Sequence, residues 1–415
     1  MQRAEVLERL LGGDQSRMAV RVFDGSRAGP ADAPVVIDVH SPRALSYLTT
    51  ARGDLGLARA YVTGDVEVEG DIYTALTYLT RLDFELPLRT RLRLFRELGG
   101  VRLLREPPRP EQEVRLHGRR HSKARDQRAI AHHYDVSNRF YSWILGPSMA
   151  YTCAVYPTAG ATLEQAQFTK HHLVARKLGL RPGMRLLDVG CGWGGMVMHA
   201  AREYGVRALG VTLSRRQAEW AQKAIAEAGL GELAEVRHLD YRDVPETGFD
   251  AISSIGLTEH IGMAQLPRYF RFLYGRLVPG GRLLNHCITE PNSVESLRRG
   301  SFIDRYVFPD GELTGVGRLV STMHDTGFEV RHEENLREHY ALTTGAWSAN
   351  LDAHWDEAVA EVGMRTARVW RLYLAGSRLG FEQNDIQLHQ VLCVKPHADG
   401  RSMMALRPDW EPPAP

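Results

Sequence analysis

Residues 184–202 constrain the fold more than any other stretch of this chain. Leu186-Leu187-Asp188-Val189, an apolar run interrupted by an aspartate, leads into Gly190-Cys191-Gly192-Trp193-Gly194-Gly195, with four glycines in six positions. Met196 to Arg202 then reads as the opening turns of a helix. Strand, tight glycine turn and helix make half of a nucleotide-binding βαβ unit. Glycine allows the sharp turn and leaves backbone amides unshielded, so that a bulky ligand can approach them. The spacing Gly190-x-Gly192-x-x-Gly195 also satisfies the dinucleotide fingerprint. The pattern alone therefore admits a nicotinamide or flavin dinucleotide, or S-adenosylmethionine (SAM).

The next strand separates these ligands. A dinucleotide site places an acidic residue about 20 positions on, at the end of strand two, to hold a ribose hydroxyl. Here Val206-Arg207-Ala208-Leu209-Gly210-Val211 runs into Thr212-Leu213-Ser214, without a carboxylate. Asp188-Val189-Gly190-Cys191-Gly192 resembles motif I of the class I SAM-dependent methyltransferases. Most of that class also carry an acid after strand two, so Thr212-Leu213-Ser214 departs from their general pattern while agreeing with one subfamily. SAM is the cofactor this reading favours.

From residue 170 to 395, strand and helix patterns alternate, the mark of an α/β doubly wound, Rossmann-like sheet. Strands are expected at 184–189, 206–211, 234–239, 249–255, 281–288, 328–334 and 388–395, with helices including Ser214–Ala228 and Gln265–Leu277. Ligands of such sheets sit at the carboxyl ends of the strands. The insertion 290–327, with Gly311, Gly315 and Gly317, is placed to form a lid there. A helical region follows at 345–380, where Trp347, Leu351 and Trp355 have helical spacing and read as core. Residues 1–104 read as a small N-terminal α+β accessory domain. It has a strand over 35–40, a helix starting at Ser41-Pro42, and an amphipathic helix from Ile72 to Leu82. Such a unit is either a plain accessory domain or one that handles lipid or dimerises. Pro107, Pro108 and Pro110 end the helical pattern and open a basic linker, 105–128. The catalytic domain covers 129–397, and in the tail 398–415 the last residues, from Arg407, have the composition of disordered chain.

The net charge of +2 gives no global argument for nucleic acid. Locally, Arg115, Arg119, Arg120, Lys123, Arg125 and Arg128 are offset in sequence only by Asp126, and Leu88–Leu104 interleaves arginines with leucines. These are solvated surfaces or patches attracted to anionic phospholipid headgroups. With no interleaved aromatics or reading helix, nucleic acid is not expected as a partner. Cys153, Cys191, Cys287 and Cys393 lie far apart, which argues against a disulfide framework or a zinc site. The charged N-terminus does not read as a signal peptide, and no apolar run reaches 18 residues. A cytoplasmic enzyme is expected.

Several further strings make the resemblance specific. His132-His133-Tyr134-Asp135-Val136-Ser137-Asn138-Arg139-Phe140-Tyr141 and Met149-Ala150-Tyr151-Thr152-Cys153-Ala154 resemble the opening segment of cyclopropane-fatty-acyl-phospholipid synthases. So do Gly210-Val211-Thr212-Leu213-Ser214-x-x-Gln217, Glu259-His260-Ile261-Gly262, Leu284-Asn285-His286-Cys287 and Gln387-Leu388-His389-Gln390-Val391-Leu392. The likeness covers roughly residues 125–395, and more loosely the first domain.

The resemblance implies methyl transfer from SAM to the cis double bond of an unsaturated acyl chain. A carbocation forms, and proton loss from the delivered methyl closes a cyclopropane. If a hydride shifts first, the product is a methylene-branched chain. It also implies a bound bicarbonate ion as base, caged by Cys153 through its backbone amide, Glu259 as acceptor, and His286 and Tyr340 as donors. For SAM, it implies Gly190, Gly192 and Gly194 beside the methionine part, with Asp188 below them. Thr212 and Gln217 would take the ribose, Asp240 and Tyr241 the adenine, and Tyr151 and Thr152 would close over the sulfonium. The partners implied are phospholipid acyl chains at the inner face of the membrane and, through the family alone, a second copy in a homodimer. A non-lipid methyltransferase and a noncatalytic SAM- or lipid-binding protein are the competing readings.

Overall fold

The computed structural model describes residues 2–11, 17–51, 53–80, 95–114, 118, 120–134, 136–292 and 300–410. Residues 88–94 of the Arg/Leu segment, with Arg115, Arg119 and residues 293–299 of the expected lid, lie outside the described residues. The chain forms two compact units, neither contiguous in sequence. One comprises residues 1–115, 298–309 and 351–379; the other comprises 116–297, 310–350 and 380–415.

The first unit is built on a four-stranded sheet, with β1 Met18–Val22, β2 Arg27–Ala28, β3 Val35–Val39 and β4 Val66–Glu69 in the order β2-β1-β3-β4. β1 and β3 run parallel, and the other pairs antiparallel. Alternation along β3 buries Val35, Ile37 and Val39 on one face, as a half-buried strand requires. Ser41 then caps the helix Pro42–Thr50, its Oγ accepting from the Arg43 amide at 3.2 Å, with Pro42 at the first helical position. Asp65 holds this corner together, accepting from Ser41 Oγ at 2.6 Å, Thr63 Oγ1 at 2.6 Å and Arg43 Nε at 2.7 Å. The helix expected from Ile72 runs Ile72–Thr80. Within the same unit Arg59 and Glu113 form a buried two-pronged ion pair, both contacts at 2.9 Å.

The second unit carries a seven-stranded sheet in the order β10-β11-β9-β8-β5-β6-β7. Its strands are β5 Arg185–Val189, β6 Arg207–Thr212, β7 Ala234–His238, β8 Phe249–Ile255, β9 Leu277–Thr289, β10 Glu329–Asn335 and β11 Gln387–Val394. β7 to β9 pair in parallel through β5, and β11 joins β9 and β10 antiparallel. The expected strands are present. β9 begins earlier than its apolar pattern suggests, because Pro279-Gly280-Gly281 is accommodated by a register shift against β8 instead of ending the strand.

Two apolar layers cover the two faces. One gathers Leu186, Ala208 and Val236 with helices Leu163–Leu178, Gly195–Tyr204 and Arg215–Glu227. The other gathers Leu187, Val211 and Ile252 with helices Leu266–Arg276 and Val316–Asp325. β5 is buried on both sides, the burial expected of a central parallel strand. The helical region after β10 divides into Arg337–Ala353, Trp355–Val362 and Met364–Glu382. Residues 411–415 of the tail expected to be disordered lie outside the described residues; before them, Met404 and Trp410 pack against the first layer, and Trp410 meets His332 edge-on at 5.8 Å. Trp410 supplies an apolar anchor that the tail's proline-rich composition obscures.

Candidate functional site

Strand order reverses between β6 and β8 on either side of β5, which places the glycine loop at the sheet's switch point, where such folds bind ligands. The Gly190 and Cys191 amides both donate to Val211 O, at 2.9 and 3.0 Å, folding the loop over the end of β6. Gly190, Gly192 and Gly194 have φ of +75°, +55° and +81°, in the left-handed region that side chains resist. A Cβ at Gly190 would lie 3.1 Å from Leu257, and one at Gly194 would lie 3.2 Å from Ala221, whereas one at Gly192 would meet nothing. The loop is thus packed from behind and open at Gly192, a cradle suited to the methionine part of SAM. Beneath it, Asp188 is buried and accepts from Ser253 Oγ at 2.6 Å. Burial pushes its carboxyl up to about 6, against the opposing pull of Ser253 and the Lys170 ammonium.

At the end of β6, Thr212 Oγ1 donates to Gln217 Oε1 at 2.7 Å and accepts from the Ser214 amide at 3.2 Å. Ser214 caps the helix that carries Gln217. The pair stands where a dinucleotide site has its carboxylate and presents neutral groups instead. Asp240 is engaged by its own neighbour, since Arg242 donates to it through Nε at 2.8 Å and Nη2 at 2.5 Å. Tyr241 packs edge-on against Tyr269 and Phe272, with ring centroids at 5.1 and 5.4 Å, and lines a cavity of about 190 Å³ with His121, Ile261 and Arg268. Burial raises its hydroxyl to about 12.

Tyr151 lies between Tyr141, at 5.8 Å, and Trp347, at 5.1 Å, and Trp347 in turn meets Tyr340 edge-on at 6.0 Å. Trp193, from the glycine loop, packs on Tyr141 at 4.8 Å. Trp347 is wholly buried, as expected of a core residue. It also joins the cofactor loop's aromatic wall to Tyr340.

Cys153, Glu259, His286 and Tyr340 come from four segments laced together by hydrogen bonds. Glu259 Oε1 accepts from the Ile288 amide at 2.7 Å, tying it to β9 two residues beyond His286. The Ala154 amide donates to Thr343 Oγ1 at 3.1 Å, tying the Cys153 segment to the helix of Tyr340. The Leu336 amide donates to Leu388 O at 2.8 Å, anchoring the start of that helix to β11. The Glu312 amide bonds Glu259 O at 2.9 Å, so part of the 290–327 insertion is fastened to the turn bearing Glu259. Tyr340 stacks on Phe381 at 4.3 Å.

Two buried atoms in this group, His286 Nε2 and Glu259 Oε2, have no protein partner. Burial pushes the Glu259 carboxyl up to about 7, drives the His286 imidazole well below its ordinary value, and holds the Cys153 thiol well above its own. A neutral imidazole and, from the turn bonded to the same strand two residues on, a carboxyl poised near neutrality are the group types that a small hydrogen-bonding anion with a hydroxyl of its own would need. Burial thus disfavours the Cys153 thiolate.

The sequence reading missed the polar groups behind the site. Lys170, wholly buried, donates to Thr152 Oγ1 at 3.0 Å and contacts His171 Nε2 at 2.9 Å; burial brings its ammonium down to about 8. Gln167 Nε2 holds the carbonyls of Ala150 and Thr152, at 3.2 and 2.9 Å. Gln390 Nε2 contacts His286 Nδ1 at 3.1 Å. Only Gln390 had a sequence signal, its place in the Gln387–Leu392 string. The basic run is also less unbalanced than it reads: Arg120 and Arg125 pair with Asp310 at 2.8 and 2.5 Å, and Lys123 pairs with Asp243 at 2.5 Å.

A seven-stranded sheet of this order, with a glycine loop at its switch point and no carboxylate at the end of β6, matches the Rossmann-like fold of SAM-dependent methyltransferases. The sequence profile for mycolic acid cyclopropane synthetase matches residues 121–391. The "Probable fatty acid methyltransferase" of Mycobacterium tuberculosis is 54% identical, over 99% of this chain and 98% of that protein. A "Probable fatty acid methyltransferase" of Pseudomonas putida is 40% identical, over 92% of this chain and 93% of its own. Among solved structures, the mycolic acid cyclopropane synthase CmaA1 complexed with SAH and CTAB superposes with a TM-score of 0.62 at 33% identity, covering 65% of this chain and 98% of that one. This chain belongs to the mycolic acid cyclopropane synthetase family of SAM-dependent methyltransferases.

Proposed function

We propose that this protein methylates the cis double bond of an unsaturated acyl chain in membrane phospholipid and then removes a proton from the delivered methyl, leaving a cyclopropane. The observation that carries this reading is the buried pair of unpartnered atoms, His286 Nε2 and Glu259 Oε2. Unsatisfied buried polar atoms cost roughly 1–3 kcal/mol each, and a site retains them where a ligand completes them. SAM, when bound, supplies an electrophilic methyl group. Gly190, Gly192 and Gly194 would admit its methionine part above Asp188, Thr212 and Gln217 would receive the ribose hydroxyls, and Tyr241 the adenine. Because Arg242 occupies the Asp240 carboxylate, Asp240 would act there through backbone and loop position. The π-faces of Tyr151 and its aromatic neighbours would favour a cation, by roughly 0.5–2 kcal/mol each, both at the sulfonium and on the methylated chain.

Bicarbonate held in the cage would serve as proton acceptor. His286 Nε2–H and the Tyr340 hydroxyl would donate to its oxygens with the Cys153 amide, and Glu259 would accept from its hydroxyl. In the CmaA1 structure CTAB accompanies SAH, and a long-chain amphiphile in a relative supports an acyl-chain substrate here. A methylene-branched product is the second reading. It begins with the same methyl transfer, and the name fatty acid methyltransferase carried by relatives 54% and 40% identical fits either product.

Access to lipid would be from the inner face of the membrane as a peripheral protein, in keeping with the family as a homodimer. No helix among the described residues is long and apolar enough to cross a bilayer. The test is mass spectrometry of fatty acids after incubation with SAM and oleoyl phosphatidylglycerol vesicles. A gain of one CH2 is expected, and resistance of the product to mild hydrogenation separates a ring from a methylene. SAM binding without mass gain would discard the phospholipid alkene as substrate.

A further inference from the structure

The cage histidine belongs to a polar row that crosses three strands. Glu334 of β10 lies directly opposite Gln390 of β11, and Gln390 directly opposite His286 of β9. Residues directly opposite across a ladder project to the same face. Over that face, Lys177 of the helix Leu163–Leu178 is wholly buried, paired with Glu334 Oε2 and donating to Gln390 Oε1 at 2.8 Å. Gln390 Nε2 lies 3.1 Å from His286 Nδ1.

These contacts have one consistent assignment of protons. An ammonium only donates, so the Gln390 oxygen must face Lys177 and its NH2 must face the imidazole. The opposite amide orientation would set NH2 against the ammonium. His286 Nδ1 therefore accepts, and a neutral ring must carry its proton on Nε2, the atom that is buried without a protein partner. We infer that Lys177 and Gln390 are positioning residues that lock His286 in the Nε2–H tautomer, so that it meets the anion in the cage as a donor. Glu334 completes the device by compensating the buried lysine. This inference rests on the reading of His286 as a cage donor, but its primary test needs no turnover.

Selective 15N-histidine labelling, with His286 assigned from the resonance lost in His286→Asn, reports the tautomer through long-range nitrogen–proton couplings. In the native protein His286 is expected as Nε2–H. Gln390→Glu presents a carboxylate that still pairs with Lys177 but accepts from the ring, so His286 should switch to Nδ1–H. Turnover should then fall about 100-fold or more, as when a donor at a reacting centre is lost, with SAM affinity retained. Lys177→Met frees the amide to rotate and should give mixed tautomers with a smaller loss, about 10-fold; it serves if Gln390→Glu does not fold. An Nδ1–H or imidazolium form in the native protein, or an unchanged tautomer in Gln390→Glu, overturns the inference. So does a switched tautomer with full activity. A native Nε2–H form in a protein that does not methylate alkenes leaves the device standing and removes the proposed reaction instead.

Discussion

The proposed SAM cradle and the proposed proton-acceptor cage lie in one unit and are built on opposite principles. The cradle's main parts come from a single run, Asp188 to Gln217, and its polar groups have protein partners: Asp188 is held by Ser253 of the neighbouring β8, and Thr212 by Gln217. The proposed cage would draw residues 153, 259, 286 and 340 from four segments, and two of its buried polar atoms, His286 Nε2 and Glu259 Oε2, have no protein partner. A cofactor bound mainly through backbone needs a loop of fixed shape, so local sequence can encode the whole of it. A cage for a small anion needs donors and an acceptor aimed inward, and their unpaired state is sustained by the packing around them. The cradle should thus fail by losing affinity, whereas the cage should fail by losing turnover while the protein becomes more stable.

The largest effect is expected at Glu259. Glu259→Gln should lower turnover by about 100-fold or more with SAM affinity unchanged in calorimetry. Its stability has a definite pH dependence. Burial raises the carboxyl from 4.5 to about 7, so the fold favours the protonated form. That contribution is complete below pH 4.5 and is lost as pH climbs through about 7. Between pH 5 and 8 the native protein should therefore weaken relative to Glu259→Gln, by on the order of 2 kcal/mol in denaturant titrations. A stability difference that is flat across this range contradicts a buried, proton-holding Glu259. Turnover by the native protein should rise over the same interval as the accepting carboxylate forms.

Next in size is the cradle. Gly190→Val meets Leu257 and a φ of +75°, and should cost roughly 1–3 kcal/mol of stability with SAM binding lost. If instead it lowers turnover at full SAM affinity, the division between cradle and cage is wrong. Thr212→Val removes one hydrogen bond to Gln217 and should weaken SAM binding by about 5- to 10-fold, with the maximal rate preserved at saturating SAM. The smallest effect concerns lipid docking. Arg120, Lys123 and Arg125 are already paired with Asp310 and Asp243. Retention on phosphatidylglycerol vesicles should accordingly fall only a few-fold between low and physiological salt. A loss of orders of magnitude would show that the basic run is free for headgroups.

The same contrast explains what the sequence made legible. The glycine loop, the strands of the large sheet and the Thr212-to-Gln217 cap are local patterns, and each is found where its residues imply. The cage residues were placed through family resemblance, because nothing local distinguishes His286 from a core histidine in an apolar strand. Lys170 and Lys177 were missed because a lysine on an amphipathic helix reads as solvated, and its burial depends on polar partners in distant segments. Asp240 illustrates the reverse: an acid after a strand invites a ligand role, while Arg242, two residues on, takes its carboxylate. The basic run looked unbalanced because Asp310 lies 185 and 190 positions from Arg125 and Arg120. The first unit's inclusion of residues 298–309 and 351–379 had no signal in composition.

The most direct test of the central claim is a reaction with SAM deuterated in its methyl group, on oleoyl phosphatidylglycerol vesicles, followed by mass spectrometry of the product chain. A base in the cage acting on the delivered methyl predicts that two of the three deuterons are retained, in ring and methylene products alike. Retention of all three would mean that the proton leaves from elsewhere, and the assignment of Glu259 and His286 to a proton-acceptor cage would fall.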